Sequence, residues 1–276
     1  MQSQLWQKKI RNCLDNNEYA VGVFIDLQKA FDTVDHAVLL SKLSFYGIRG
    51  RELELFKSYL TNRTHFVENN GIKSNEVEIK HGVPQGSVLG PLLFLVYIND
   101  LNKAIKHSHT FHFADDTSLL CHDKQLKRLN RNVNEDLTNL VHWLRANKIS
   151  LNASKTELVI FKKQNQGLTK HLNFRLSGQK ITPTQSTIYL GIVLDENLNW
   201  DNHLSCLIIK LSRAVGILSK LRYYVDFHTL RTIYFALFES HINYCLPCFG
   251  HIKIEQLNKL QSLQNPKTPK PLKTYL

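Results

Sequence analysis

Residues Tyr19 to Ile25 are a run of seven, nearly all apolar, that stops at the carboxylate of Asp26. A run this short reads as a buried strand with an acid at its carboxyl end. A second run, Phe111-His112-Phe113-Ala114, stops at Asp115-Asp116 and resumes over Thr117 to Cys121, a pattern that fits two strands with the acids at the turn. An Asp-Asp pair alone says little, because twelve aspartates in 276 residues give about half an occurrence by chance. Its setting carries the weight. Carboxylates brought together at strand ends raise one another's pKa unless a cation offsets them. If the two strands are neighbours, Asp26 and Asp115 can hold two divalent ions about 3.5–4 Å apart, the arrangement used in phosphoryl transfer. Oxygen-only ligands favour Mg²⁺ over zinc. Adjacent strand residues face opposite ways, so Asp115 ranks above Asp116 unless the turn rotates one of them. The plainer alternative is a set of strand-end aspartates capping backbone amides.

The remaining periodicities predict an α+β chain without a strict βαβ repeat. Asp35 is placed to cap a helix carrying Leu39, Leu40, Leu43 and Tyr46, stopped by Gly47, and Leu53, Phe56 and Leu60 mark another. Thr64–Glu68 and Glu76–Lys80 are expected to flank a hairpin turn at Asn69-Asn70-Gly71. The loop Gly82-Val83-Pro84-Gln85-Gly86-Ser87 opens onto an apolar helix expected over Val88–Ala104. Leu126, Leu129, Val133, Leu137, Leu140 and Leu144 fall at helical spacing. Strands are expected at Glu157–Phe161, Leu172–Leu176 and Ile188–Leu194, and helix from about residue 200.

Charge is distributed unevenly. Residues 1–100 hold eleven Lys/Arg and eleven Asp/Glu, whereas residues 101–276 hold 24 against 12, so the whole net charge of +12 lies in the second part. A one-sided basic surface suggests a polyanion partner, because neutralising phosphates releases counterions; a merely soluble cationic surface is the alternative. The longest apolar run, Val88 to Ile98, falls short of the roughly 20 residues a membrane span needs. The N-terminus lacks the apolar region of a secretory signal, which predicts an intracellular chain in nucleus or cytoplasm. Five cysteines at irregular spacing argue against a disulfide framework. Cys245-Leu246-Pro247-Cys248 has no second pair behind it and reads as two half-buried thiols rather than a metal site.

Three segments together resemble the reverse transcriptases of non-LTR, LINE-type retrotransposons, in particular the jockey-like group. They are Phe24-Ile25-Asp26-Leu27-Gln28-Lys29-Ala30-Phe31-Asp32-Thr33-Val34-Asp35-His36, then Gly82-Val83-Pro84-Gln85-Gly86-Ser87-Val88-Leu89-Gly90-Pro91, then Phe113-Ala114-Asp115-Asp116. Leu151 to Glu157 and Tyr189-Leu190-Gly191 are similar to the family's later palm motifs. The resemblance implies a right-hand polymerase, with an antiparallel palm sheet packed on helices, partial fingers and a helical thumb. It implies a palm with partial fingers over 1–200, with a finger-like insertion at 47–82, and a thumb over 201–265; where Pro266-Lys267-Thr268-Pro269-Lys270-Pro271 departs from the family's helical continuation, the tail over 266–276 reads as disordered. It further implies RNA-directed DNA polymerase activity with two Mg²⁺ ions, Mn²⁺ being a possible substitute, acting on dNTPs, an RNA template, a DNA primer and their RNA–DNA duplex.

Residue by residue, the resemblance makes Asp26, Asp115 and Asp116 the catalytic acids, with the Leu27 carbonyl as a backbone metal ligand. Phe31 matches the aromatic gate against ribonucleotides, although packing after a strand explains it equally well. Gln85 matches the glutamine that contacts the incoming nucleotide, with Gly86 allowing close backbone approach; a turn opening a helix is the alternative. Lys155 matches the palm lysine that protonates pyrophosphate, against the reading of a solvated lysine. Tyr189-Leu190-Gly191 would lie near the primer terminus. Over His203–Val225, Leu204, Leu207, Ile208, Leu211, Val215 and Leu218 share one helical face, with Lys210, Arg213 and Lys220 roughly opposite as duplex-binding groups. Only 25 residues precede Asp26, so the family's basic triphosphate clamp is expected to be missing and the chain to be N-terminally truncated. A catalytically silent nucleic-acid-binding remnant is therefore the alternative function, and a two-metal nuclease a weaker third.

Overall fold

The computed structural model describes residues 2–163, 172–249 and 254–264, and the expected tail over 266–276 lies outside them. In chain order these form α1 (Gln2–Asp15), β1 (Tyr19–Ile25), α2 (His36–Phe45), α3 (Arg51–Leu60), β2 (Thr64–His65), β3 (Glu68–Asn69), β4 (Ile72–Lys73), β5 (Val77–Glu78), α4 (Leu89–Ile98) and α5 (Leu101–Ala104). Then come β6 (His109–Phe113), β7 (Asp116–Asp123), α6 (Leu126–Ala146), β8 (Glu157–Phe161), β9 (Phe174–Leu176), β10 (Gln179–Ile181), β11 (Ser186–Tyr189), β12 (Ile192–Asp195) and α7 (Asp201–Leu221). The helices α8 (Phe227–Tyr234), α9 (Ser240–Asn243), α10 (Leu246–Phe249) and α11 (Ile254–Gln264) follow, with a π-helical turn at Phe235–Glu239. The described chain divides into two compact units, residues 17–160 with 172–184, and residues 2–16, 161–163, 185–249 and 254–264.

The first unit is built on β1. Its residues Ala20 to Ile25 are buried, as an apolar run covered on both faces must be. The sheet order is β6-β7-β1-β8, and β7 runs antiparallel to both β1 and β6. On α6, Leu129, Val133, Leu137, Leu140 and Leu144 are buried, each burial worth roughly 1.5–3 kcal/mol, and this stripe packs the helix on β7 and β1. The helix α2 packs against α3 and α4. Asp35 caps α2 as expected: its side chain accepts from the Val38 amide at 2.9 Å and pairs with Lys148 at 2.6 Å. That pairing outweighs burial and holds the Asp35 carboxyl below its ordinary value.

Three expectations need correction. The strand segments around Asn69 are broken, with β2 pairing β5 and β3 pairing β4. The turn sits at Asn70 and Gly71, whose φ values of 50° and 82° suit a two-residue hairpin loop. The apolar helix stops at Ile98 and resumes at Leu101 rather than running through to Ala104. The strand expected over Ile188–Leu194 is a hairpin of β11 and β12. Its chain reverses at Leu190 and Gly191, both at positive φ, and the Tyr244 hydroxyl donates to the Leu190 carbonyl at 2.6 Å.

In the second unit, Trp6 and Ile10 of α1 are fully buried, and the Gln7 amide donates to the Cys248 carbonyl at 2.7 Å. None of the five cysteines forms a disulfide. Burial pushes the Cys248 thiol up to about 11, which disfavours the thiolate a metal needs. No described helix is long and apolar enough to cross a membrane.

Candidate active site

Antiparallel register assembles the acids. Ile25, one residue before Asp26, stands opposite Thr117, one residue after Asp116, so the two strands carry Asp26 and Asp116 to the same end of the sheet. Asp115 lies in the β6–β7 turn after Ala114, which adopts φ 52°. That turn interrupts the strand alternation between Asp115 and Asp116. Partial burial, then the Asp115 charge, then the Asp26 charge push the Asp116 carboxyl up. The three acids thus form one electrostatic group, and no cation contributes to the Asp116 shift. A set of hard oxygen donors, in which burial and two neighbouring carboxylates raise Asp116, fits a divalent cation.

The strand-end segment is zipped to the chain before β8. Gln28 donates to the Ser150 carbonyl at 2.9 Å, and Asn152 donates to the Asp26 carbonyl at 2.9 Å. Leu27 and Leu151 form the bridge between them. Neither of these bonds uses the Leu27 carbonyl, which keeps it available as a ligand. A cleft of about 390 Å³ follows, lined by Asp26, Leu27, Gln28, Lys29, Thr33, Ser150, Asn152 and Lys155. Lys155 is exposed, and its amide donates to the Asn152 carbonyl at 3.2 Å.

The Gln85 loop is docked on the segment that follows Asp26. Gly82 donates to the Val34 carbonyl at 2.8 Å, and Val83 to the Phe31 carbonyl at 2.9 Å. A Cβ on Gly82 would stand 2.9 Å from the Asp32 Cα, so only glycine permits this approach. The Gln85 Nε2 donates to the Asp32 Oδ1 at 2.6 Å. Gly86, at φ 79°, faces open space. The half-buried Phe31 packs against Phe94 at a tilt, with ring centroids 4.7 Å apart, so the packing reading of Phe31 holds whether or not it also gates. Asp32 escaped the sequence reading, although an acid beside the aromatic gate was a signal. So did a second cleft, about 500 Å³, in which Arg63, His65, Lys80 and His81 accompany Asp32 and Gln85.

Lys210, Arg213 and Lys220 lie in the other unit, all exposed on α7. Arg213 and Lys220 are on the side away from the buried residues. Lys210 is not: it borders the buried face and lines a small cavity with His203 and Tyr244. Burial, and then the Lys210 charge, push the His203 imidazole down. The Tyr189 side chain is buried and its ring centroid lies 5.5 Å from that of Trp6, which accounts for it by packing.

A family profile described as reverse transcriptase (RNA-dependent DNA polymerase) matches residues 1–194. The chain belongs to the reverse transcriptase family. It is 31% identical over 262 residues to the RNA-directed DNA polymerase from mobile element jockey of Drosophila melanogaster, covering 91% of this chain and 28% of that protein. It is 30% identical over 282 residues to the probable RNA-directed DNA polymerase from transposon BS of the same organism, covering 94% of this chain and 29% of the relative. The chain therefore spans under a third of the length of those relatives, and its kinship is with the non-LTR retrotransposon polymerases. A solved telomerase structure from Candida albicans, in complex with a fragment of telomeric RNA, is similar over 99% of this chain and 45% of its own, with 15% identity and a TM-score of 0.45.

Proposed function

We propose that this reverse transcriptase domain extends a DNA primer along an RNA template by transferring nucleotidyl groups from dNTPs. The observation that supports it is the grouping of Asp26, Asp115 and Asp116 beside a small cleft, with Gln85 tied to the same strand-end segment. The acids and the Leu27 carbonyl would hold two divalent ions, Mg²⁺ or Mn²⁺, which supply charge stabilisation at the attacking and departing oxygens. Gln85 and Gly86 receive the incoming nucleotide, and Phe31 excludes a 2′-hydroxyl from beneath the sugar. The primer 3′-hydroxyl loses its proton to water as its oxygen bonds to the α-phosphorus, the bond from that phosphorus to the β-bridging oxygen breaks, and Lys155 supplies a proton to the departing pyrophosphate. The palm with its partial fingers lies within 1–200 and the thumb within 201–265, where Lys210, Arg213 and Lys220 follow the phosphates of the RNA–DNA duplex.

Primer extension on an RNA template with Mg²⁺ tests this reading. The full chain should incorporate dNTPs, and its Asp115→Ala variant should not. Equal, background incorporation by both, with duplex binding retained and salt-sensitive, would establish the silent binding remnant instead.

A further inference from the structure

Lys29 lines the Asp26 cleft, and none of the roles derived above uses it. It is exposed, and no carboxylate among the described residues pairs with it. Its backbone stands at φ 45°, a left-handed conformation that costs a residue with a side chain roughly 1–2 kcal/mol. Two amides secure it there, from Asp32 at 2.8 Å and Thr33 at 3.1 Å, both donating to the Lys29 carbonyl. Lys155 lines the same cleft from the segment before β8. The bonds joining residues 26–28 to 150–152 fix one segment against the other. Two lysines and a single aspartate thus line a space of about 390 Å³, within the range for a small molecule rather than a duplex.

We propose that Lys29, together with Lys155, binds the polyphosphate of the incoming nucleotide and the pyrophosphate released from it. The proposal rests on the polymerase reading. It supplies from the strand-end turn itself some of the positive charge that the sequence was expected to lack. A strained lysine secured at a cleft whose lining holds two lysines and one acid is intelligible if its ammonium has an anionic ligand.

Calorimetric binding of inorganic pyrophosphate with Mg²⁺ to the full chain tests the proposal. Lys29→Gly removes the charge while suiting the backbone conformation, Lys29→Ala removes the charge and keeps the strain, and Lys29→Arg keeps both. Gly and Ala variants should each weaken pyrophosphate binding on the order of tenfold, the loss expected for one charge-assisted hydrogen bond, while Arg restores it. Where primer extension is measurable, the KM for dNTP should rise with the Gly variant more than kcat falls. Pyrophosphate affinity unchanged in Lys29→Gly, or no binding by the parent chain at millimolar pyrophosphate, overturns the proposal. Lys29-dependent pyrophosphate binding without primer extension would instead overturn the polymerase reading and leave the anion site standing.

Discussion

Replacing Gly82 with alanine tests how the Gln85 loop is held against the strand-end segment. The added Cβ would lie 2.9 Å from both the Cα and the carbonyl oxygen of Asp32 and 3.0 Å from the Phe31 carbonyl oxygen. All three atoms are backbone, so no rotamer change relieves the contact, and the two segments must separate by several tenths of an ångström. Overpacking of this kind costs about 1–3 kcal/mol. Alanine at φ 88° adds about 1–2 kcal/mol of left-handed strain. Separation also weakens the Gly82–Val34 and Val83–Phe31 hydrogen bonds, each contributing about 0.5–1.5 kcal/mol net. A loss of roughly 2–5 kcal/mol is expected. Gly178→Ala is the control, since Gly178 has φ 82° and open space around its Cβ direction; only the strain of about 1–2 kcal/mol applies there. Urea unfolding followed by tryptophan fluorescence should give midpoints separated by the contact contribution, with unchanged m. Equal losses in the two variants would refute the claim that close packing of Gly82 on Asp32 positions the loop.

Three further outcomes are expected. Because the folded-state pKa of Asp116 is raised, ionisation at this position opposes folding: its contribution is most favourable below the unfolded value and is lost as pH rises through the folded one. Asp116→Asn should therefore be more stable than the parent at neutral pH, with the gap closing in acid and narrowing when Mg²⁺ stabilises only the parent; thermal melts across pH decide it. Asp35 has the opposite sign, its pKa being lowered first by the Lys148 hydrogen bond. Asp35→Ala should cost about 1–2 kcal/mol at neutral pH through loss of the cap on α2, and the deficit should shrink as pH falls through the lowered folded value; a deficit independent of pH would contradict this. Alanine at Arg213 or Lys220 should weaken RNA–DNA duplex binding alike for all sequences and reduce the salt slope by about one per residue, as read by fluorescence anisotropy.

What was legible in the sequence is what depends on local pattern. The burial of β1 and the stripe on α6 follow from apolar periodicity, and Asp35 was readable as a cap from its place before Leu39 and Leu43. The rest depends on contacts between distant segments or on backbone conformations that the residue type does not announce. The Gln85–Asp32 hydrogen bond joins residues 53 apart, and no period encodes it. Lys29 and Leu190 adopt positive φ although neither residue type favours it. Strand alternation does not carry through the turn before Asp115 and Asp116, where Ala114 stands at φ 52°. Lys210 was placed opposite the apolar face, yet helical geometry sets it beside His203 and Leu207, near enough to line their cavity.

Residues 29–33 are the common wall of two clefts. Lys29 and Thr33 line the one that holds Asp26 and Lys155, while Asp32 lines the one that holds Gln85, Arg63 and Lys80. The Phe31 ring packs on Phe94, and the Phe31 carbonyl accepts from Val83. This short segment is therefore fixed by a strained turn at one end, a ring contact in the middle and the capped start of α2 at the other. A shift in it moves the acid rim, the candidate sugar gate and the partner of Gln85 together. Substitutions here should couple rather than add, so the double variant Gly82→Ala/Asp32→Ala should lose less stability than the two single losses combined, because the Gln85–Asp32 bond can be lost only once.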